Sequence, residues 1–302
     1  MFKHILVPLD GSRLAETALS PAASLAEILN APVILLHVIE ENAPREIHKE
    51  RHLTQPEEAN TYLSGIVQKY FSRKTRVEWH VHEAEVQDVA ASIVNHTDEL
   101  HPDLLVMCAH GRSGVRNFLF GSIAQQVLAQ STTPILLLQP ESDTEPQPFQ
   151  IRRILVPLDI ESDDSLPIAE YLAQAYRSEL YLLSVIPTLG TLSGEQAAAS
   201  NLLPGTAAVF LDIKEEHTSQ HLQDHLTTLT LAGFNASVEI VRGDPALTIV
   251  DVSKRINTDL IVLSTHRRVG MDAFWARSVA PNVVRRTHTP ILLVPLPPKG
   301  NL

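Results

Sequence analysis

The chain has 302 residues, 44% hydrophobic and 20% charged, the balance of an ordinary globular protein and long enough for two domains of common size. A formal net charge of −11 argues against nonspecific nucleic-acid binding and docking on an anionic membrane, with the arginines between Arg267 and Arg286 the one candidate for a local basic patch. Cys108 is the sole cysteine, which excludes an intrachain disulfide, and no apolar run approaches the roughly 20 residues that span a bilayer.

In chain order, the N-terminus MFKHILVPLDGS enters a strand pattern at once, without the apolar core of a signal peptide, so the expected location is the cytoplasm. Short aliphatic runs at residues 3–9, 32–39, 76–82, 103–109 and 134–139 predict strands covered on both faces. Between the first two, Ala15, Ala18, Leu19, Ala22, Leu25, Ala26 and Leu29 recur at helical spacing, with Ser12 as the N-cap. Pro21 predicts a kink in that helix. Residues 57–73, 86–100 and 119–131 predict the later helices. Strands alternating with helices imply right-handed crossovers and a mostly parallel, doubly wound α/β sheet.

The stretch PESDTEPQPFQ at 140–150 can continue neither a strand nor a helix, and after it the pattern repeats. RRILVPLD at 152–159 answers KHILVPLD at 3–10. Leu182–Ile186 answers Leu35–Ile39, Thr258–Val262 answers Pro102–Val106, and Thr289–Leu293 answers Thr133–Leu137. Two tandem domains are expected, at 1–140 and 151–298, with 141–150 as the linker. Residues from Pro187 to Gly205 read as a mobile loop, with a flap over the sheet edge as the alternative.

Open α/β sheets bind ligands at the carboxyl ends of their strands. There the first repeat carries Pro8-Leu9-Asp10-Gly11-Ser12 and Cys108-Ala109-His110-Gly111-Arg112-Ser113-Gly114, followed by Gly121-Ser122-Ile123 opening a helix. Glycine lets backbone N–H groups approach phosphate oxygens, and a helix start offers free N–H groups and a favourable dipole. Asp10 can accept from a purine amino group or a ribose hydroxyl; it can equally serve as a turn or helix-cap carboxylate.

The opening ILVPLDGS and the block HGRSGVRNFLFGSIA resemble the universal stress protein family, over nearly all of residues 3–139 and 152–295. The resemblance implies two Rossmann-like (adenine nucleotide alpha hydrolase-like) domains, each a five-stranded parallel sheet of order 3-2-1-4-5 with helices on both faces. ATP-binding members share a G-x2-G-x9-G-S/T pattern, and here its first glycine is Cys108. Carried over by position, Asp10 and Val38 would meet the adenine and Cys108 would lie near the ribose. Gly111, Gly121, Ser122 and Ile123 would surround the phosphates of ATP or another adenine nucleotide, with or without Mg, and Pro8, His110 and Arg112 complete the expected binding set.

In the second repeat Asp159 and Val185 persist, but the motif reads Ser264, His266 and Arg267, then Arg277 and Ser278. Arginines where backbone must touch phosphate imply a degenerate site. The expected function is therefore stress response or regulation through a nucleotide bound by the first repeat, with the second as an intrachain pseudo-dimer partner. Pro134–Gln139 and Pro290–Pro295 would be the pairing strands; a homodimer and an unidentified protein partner are further expectations. No nucleophile–base pair and no Walker motif are present, so no catalytic residue is assigned. Slow ATP hydrolysis or nucleotide transfer, and a scaffold that binds no nucleotide, are the alternatives.

Other residues read more plainly. Cys108 at a strand end suits an inert buried thiol. His217, His221 and His225 recur every four residues as ligands on a helix do, yet the Gln, Asp and Glu around them predict a solvated helix face. His80 and His82 share one strand face with no third ligand in view, so no metal is assigned.

Overall fold

Ile5, Leu6 and Val7 are completely buried, as a strand covered on both faces requires, and they form β1 (Ile5–Pro8). Each such side chain contributes about 1.5–3 kcal/mol by leaving water. The computed structural model describes residues 1–44, 46–47, 50–109, 122–139, 148–160, 162–192, 194–266 and 279–296.

After β1 come α1 (Arg13–Glu16), α2 (Leu19–Leu29) and β2 (Val33–Glu40). A small hairpin, β3 (Glu46–Ile47) with β4 (Glu50–Arg51), precedes α3 (Pro56–Tyr70), β5 (Val77–Val86), α4 (Val89–Leu100) and β6 (Leu104–Cys108). Then follow α5 (Ser122–Gln130) and β7 (Ile135–Leu138). The single kinked helix expected after Ser12 is instead two helices. Pro21 is the third residue of α2, within the first turn, where its missing N–H has no intrahelical partner to lose.

The second repeat runs β8 (Arg153–Pro157), α6 (Leu166–Tyr176), β9 (Glu179–Ile186), α7 (Gly194–Leu202) and α8 (Pro204–Leu231). It continues with β10 (Ala236–Arg242), α9 (Pro245–Arg255), β11 (Leu260–His266), α10 (Val279–Val284) and β12 (Ile291–Leu296). The loop expected from Pro187 to Gly205 is corrected here: it holds α7 and the start of α8. Pro204 opens α8, a position where no amide proton is needed.

The chain divides into two compact units. One takes in Met1–Gln150 together with β12; the other is built on Ile151–Thr265 with α10. In the first unit the strand order is β5-β2-β1-β6-β7-β12. The pairs of β1 with β2 and β6, of β2 with β5, and of β6 with β7 are parallel. β12 joins β7 antiparallel, with Leu292 opposite Leu136. In the second unit the order is β10-β9-β8-β11, again parallel in β10–β9, β9–β8 and β8–β11. The unit boundary thus departs from the repeat boundary at β12, which comes from the second repeat and pairs in the first unit.

No helix among the described residues is long and apolar enough to cross a membrane.

Candidate functional site

Three neighbouring strand ends define the crevice of the first unit. Pro8 pairs with Leu36 and Leu6 with Leu105, so continuing the register sets Asp10 abreast of Val38, and Leu9 abreast of Cys108. Val38 and Cys108 are buried, while Asp10 and Pro8 are half-buried. The parallel ladder persists past β1 and β6: the Leu9 N–H donates to the Leu36 carbonyl at 2.8 Å and that of Ala109 to Leu138 at 2.8 Å.

The turn after β1 is tightly specified. One oxygen of Asp10 accepts from the backbone N–H of Ser12 at 2.9 Å and from its hydroxyl at 2.7 Å. The same hydroxyl accepts from the Ala15 N–H at 3.1 Å, capping α1. Gly11 between them has φ +90°, and a Cβ there would lie 2.8 Å from Leu53 Cδ1 and 2.9 Å from Cγ. Only glycine meets both demands without strain.

The segment between β2 and α3 folds back over this turn. His37 Nδ1 lies 2.7 Å from the Leu9 carbonyl and its Nε2 lies 3.1 Å from that of Leu53. Glu50 accepts from the Arg13 N–H at 2.6 Å and pairs with the Arg13 guanidinium at 3.1 Å. On the other side of α1, Tyr70 and Tyr62 donate to Glu16 at 2.9 and 3.4 Å. Burial first, then the charges of Glu16 and Asp10, push the Tyr62 phenol far above the usual tyrosine range, so it stays a donor. Sequence reasoning passed over His37, Leu53 and Tyr62, because nothing in their local spacing reveals which distant loop each touches.

Of the expected phosphate-side residues, Ser122 and Ile123 open α5 and are exposed, which leaves the helix start accessible to an anion. His110, Gly111, Arg112 and Gly121 lie outside the described residues. Cys108 is buried, as its reading as an inert thiol expects.

The second unit repeats the geometry. Pro157 pairs with Leu183 and Leu155 with Ile261, so Asp159, Val185 and Ser264 stand where Asp10, Val38 and Cys108 stand in the first. Their surroundings differ. Asp159 faces Lys214 of α8 at 3.8 Å and forms an isolated bridge with Ser162. The hydroxyls of Ser264 and Thr265 are buried with no hydrogen-bond partner among the described residues. His266 ends β11; Arg267, Arg277 and Ser278 lie outside the described residues.

Two histidine groups depart from the sequence reading. His96, buried on α4, stands with its ring centroid 5.0 Å from that of His80 and 5.1 Å from that of His82, supplying the third imidazole that strand spacing alone lacks. Its Nδ1–H donates to the Ser92 carbonyl at 2.7 Å. Partial loss of hydration at the largely exposed His80 ring, then the neighbouring His96 and His82, lowers its pKa. On α8, His217 is exposed, but the solvated face expected for the other two is corrected: His221 and His225 turn onto Asp163. The i, i+4 spacing was visible in sequence; the carboxylate, 58 residues from His221, was not.

The profile described as the universal stress protein family matches residues 1–139 and 150–295. A universal stress protein of Synechocystis is 32% identical over 139 residues, spanning 46% of this chain and 86% of its own length. The Bacillus subtilis universal stress protein YxiE is 27% identical over 151 residues, spanning 46% of this chain and 100% of its own. The crystal structure of a universal stress protein from Archaeoglobus fulgidus superposes with a TM-score of 0.70 at 18% identity, over 97% of this chain and 98% of that one. That likeness bears on the fold.

Proposed function

Because the chain belongs to the universal stress protein family, we propose that its first repeat binds ATP or a related adenine nucleotide and that the protein acts in stress response through this bound state. The observation that carries the reading is Asp10 level with Val38 on adjacent strand ends, with Cys108 one residue short of that level on the third. Buried Val38 and Cys108 beside a half-buried carboxylate suit a purine, whose ring needs burial and whose amino group needs an acceptor. Asp10, level with Val38, would supply that acceptor. The exposed start of α5 at Ser122 supports a phosphate nearby, with Gly111 and Gly121 as the close-approach positions. Mg would then accompany the phosphates as a counter-ion.

In this reading the protein binds and signals rather than turning over substrate, and it works in the cytoplasm. The second repeat is a pseudo-dimer partner: Lys214 beside Asp159, and arginines at 267 and 277, support a crevice no longer suited to ATP. Titrating ATP into the full chain and into Gly121→Arg tests the proposal. Binding heat that disappears in the variant is the expected result; equal heats would overturn the phosphate cradle.

A further inference from the structure

Asp163, His221 and His225 cluster their donor atoms on the second unit, the two imidazoles meeting different oxygens of the one carboxylate. His221 Nε2 lies 3.0 Å from Asp163 Oδ1, His225 Nε2 lies 3.1 Å from Oδ2, and the two Nε2 atoms are 3.3 Å apart. The histidines are one turn apart on α8, their rings meeting edge to face at 4.6 Å between centroids. All three side chains are partly shielded, with 23–36% of each exposed.

While Asp163 is ionised, at most two of the three contacts can be hydrogen bonds. If both imidazoles carry a proton on Nε2, both donate to Asp163 and the 3.3 Å contact between the nitrogens holds no hydrogen bond. If one Nε2 is bare, its lone pair meets a carboxylate oxygen, which is also an acceptor. A cation held by both bare nitrogens and the carboxylate would satisfy all three groups at once.

The spacing also fits. Zinc–nitrogen and zinc–oxygen bonds of about 2.0–2.2 Å at tetrahedral angles separate neighbouring donors by roughly 3.3 Å. We infer that Asp163, His221 and His225 bind a divalent transition-metal ion, with zinc the best match to a two-imidazole, one-carboxylate set. Three protein donors leave a fourth position for water. The ion would fasten the loop after β8 to the middle of α8, beside the Lys214–Asp159 pair that joins the same loop to the same helix. The site is independent of the nucleotide reading, since no residue of the first repeat takes part.

The test is zinc binding by the untagged, chelator-stripped full chain, measured by competition with a fluorescent zinc chelator. His221→Gln, Asp163→Asn and His82→Gln are measured in parallel, the last as a control for the imidazole group of the first unit. The expected result is a zinc equivalent in wild type and His82→Gln whose affinity falls at least about 100-fold in the other two, beyond what loss of an outer-shell partner costs. Melting curves without zinc establish that the variants are folded, and zinc should raise the melting temperature of wild type but not of His221→Gln. Wild type that binds no zinc, or variants at 163 and 221 that bind it as wild type does, would overturn the site.

Discussion

Asp10 grips Ser12 twice through one oxygen, at the backbone N–H and at the hydroxyl. Ser12 is completely buried, so both donors depend on that carboxylate. Asp10→Ala should cost about 1–3 kcal/mol, the usual penalty for orphaning buried polar groups. Asp10→Asn retains an acceptor oxygen and should recover most of this in urea denaturation. If the two variants are equally and barely destabilised, the turn does not rely on Asp10.

Gly11→Ala tests the same turn from the other side. The positive φ costs roughly 1–2 kcal/mol for any residue with a Cβ, and the contact with Leu53 adds to it. A lowered denaturation midpoint, together with weaker ATP binding, is expected. A variant as stable as wild type would mean that the loop carrying Leu53 is not seated on the turn.

The lowered pKa of His80 makes a prediction about acid. Partial loss of hydration and the neighbouring His96 and His82 disfavour its proton, while Glu99 and Glu83 only partly offset them. The unfolded chain therefore takes up this proton more readily than the folded one, and stability must fall as pH drops through the ordinary histidine range near 6.5. His80→Gln should flatten the profile of melting temperature against pH between about 7 and 5. An unchanged acid limb would contradict the assignment.

β12 covers the edge of β7 in the first unit. A fragment ending at Gln150 would leave the N–H and C=O groups of that edge unpaired, a template for association. Such a fragment should dimerise or aggregate in size-exclusion chromatography with light scattering. A well-folded monomer would show that β7 needs no partner.

Periodicity and internal repetition revealed most of the architecture. The aliphatic runs became strands because buried parallel strands select β-branched and aliphatic residues on both faces, and their register set Asp10 level with Val38 and Leu9 level with Cys108. Punctuation misled in two places. Pro21 predicted a kink and the stretch ending in Pro204-Gly205 a loop, yet each proline falls in a first helical turn, where a missing amide proton is harmless. The histidines misled differently: His221 and His225 were legible as a pair, but Asp163 reaches them only through tertiary folding, as His96 reaches His80 and His82. Local pattern reports which face a residue shares along its own element; it does not report what packs opposite.

The occupied state of the first crevice is the central claim, and native mass spectrometry of the freshly purified full chain, before and after incubation with ATP, reads it directly. A mass increment equal to an adenine nucleotide, absent from Gly121→Arg, is the predicted result. A bare polypeptide mass in every sample, ATP-incubated wild type included, would contradict it.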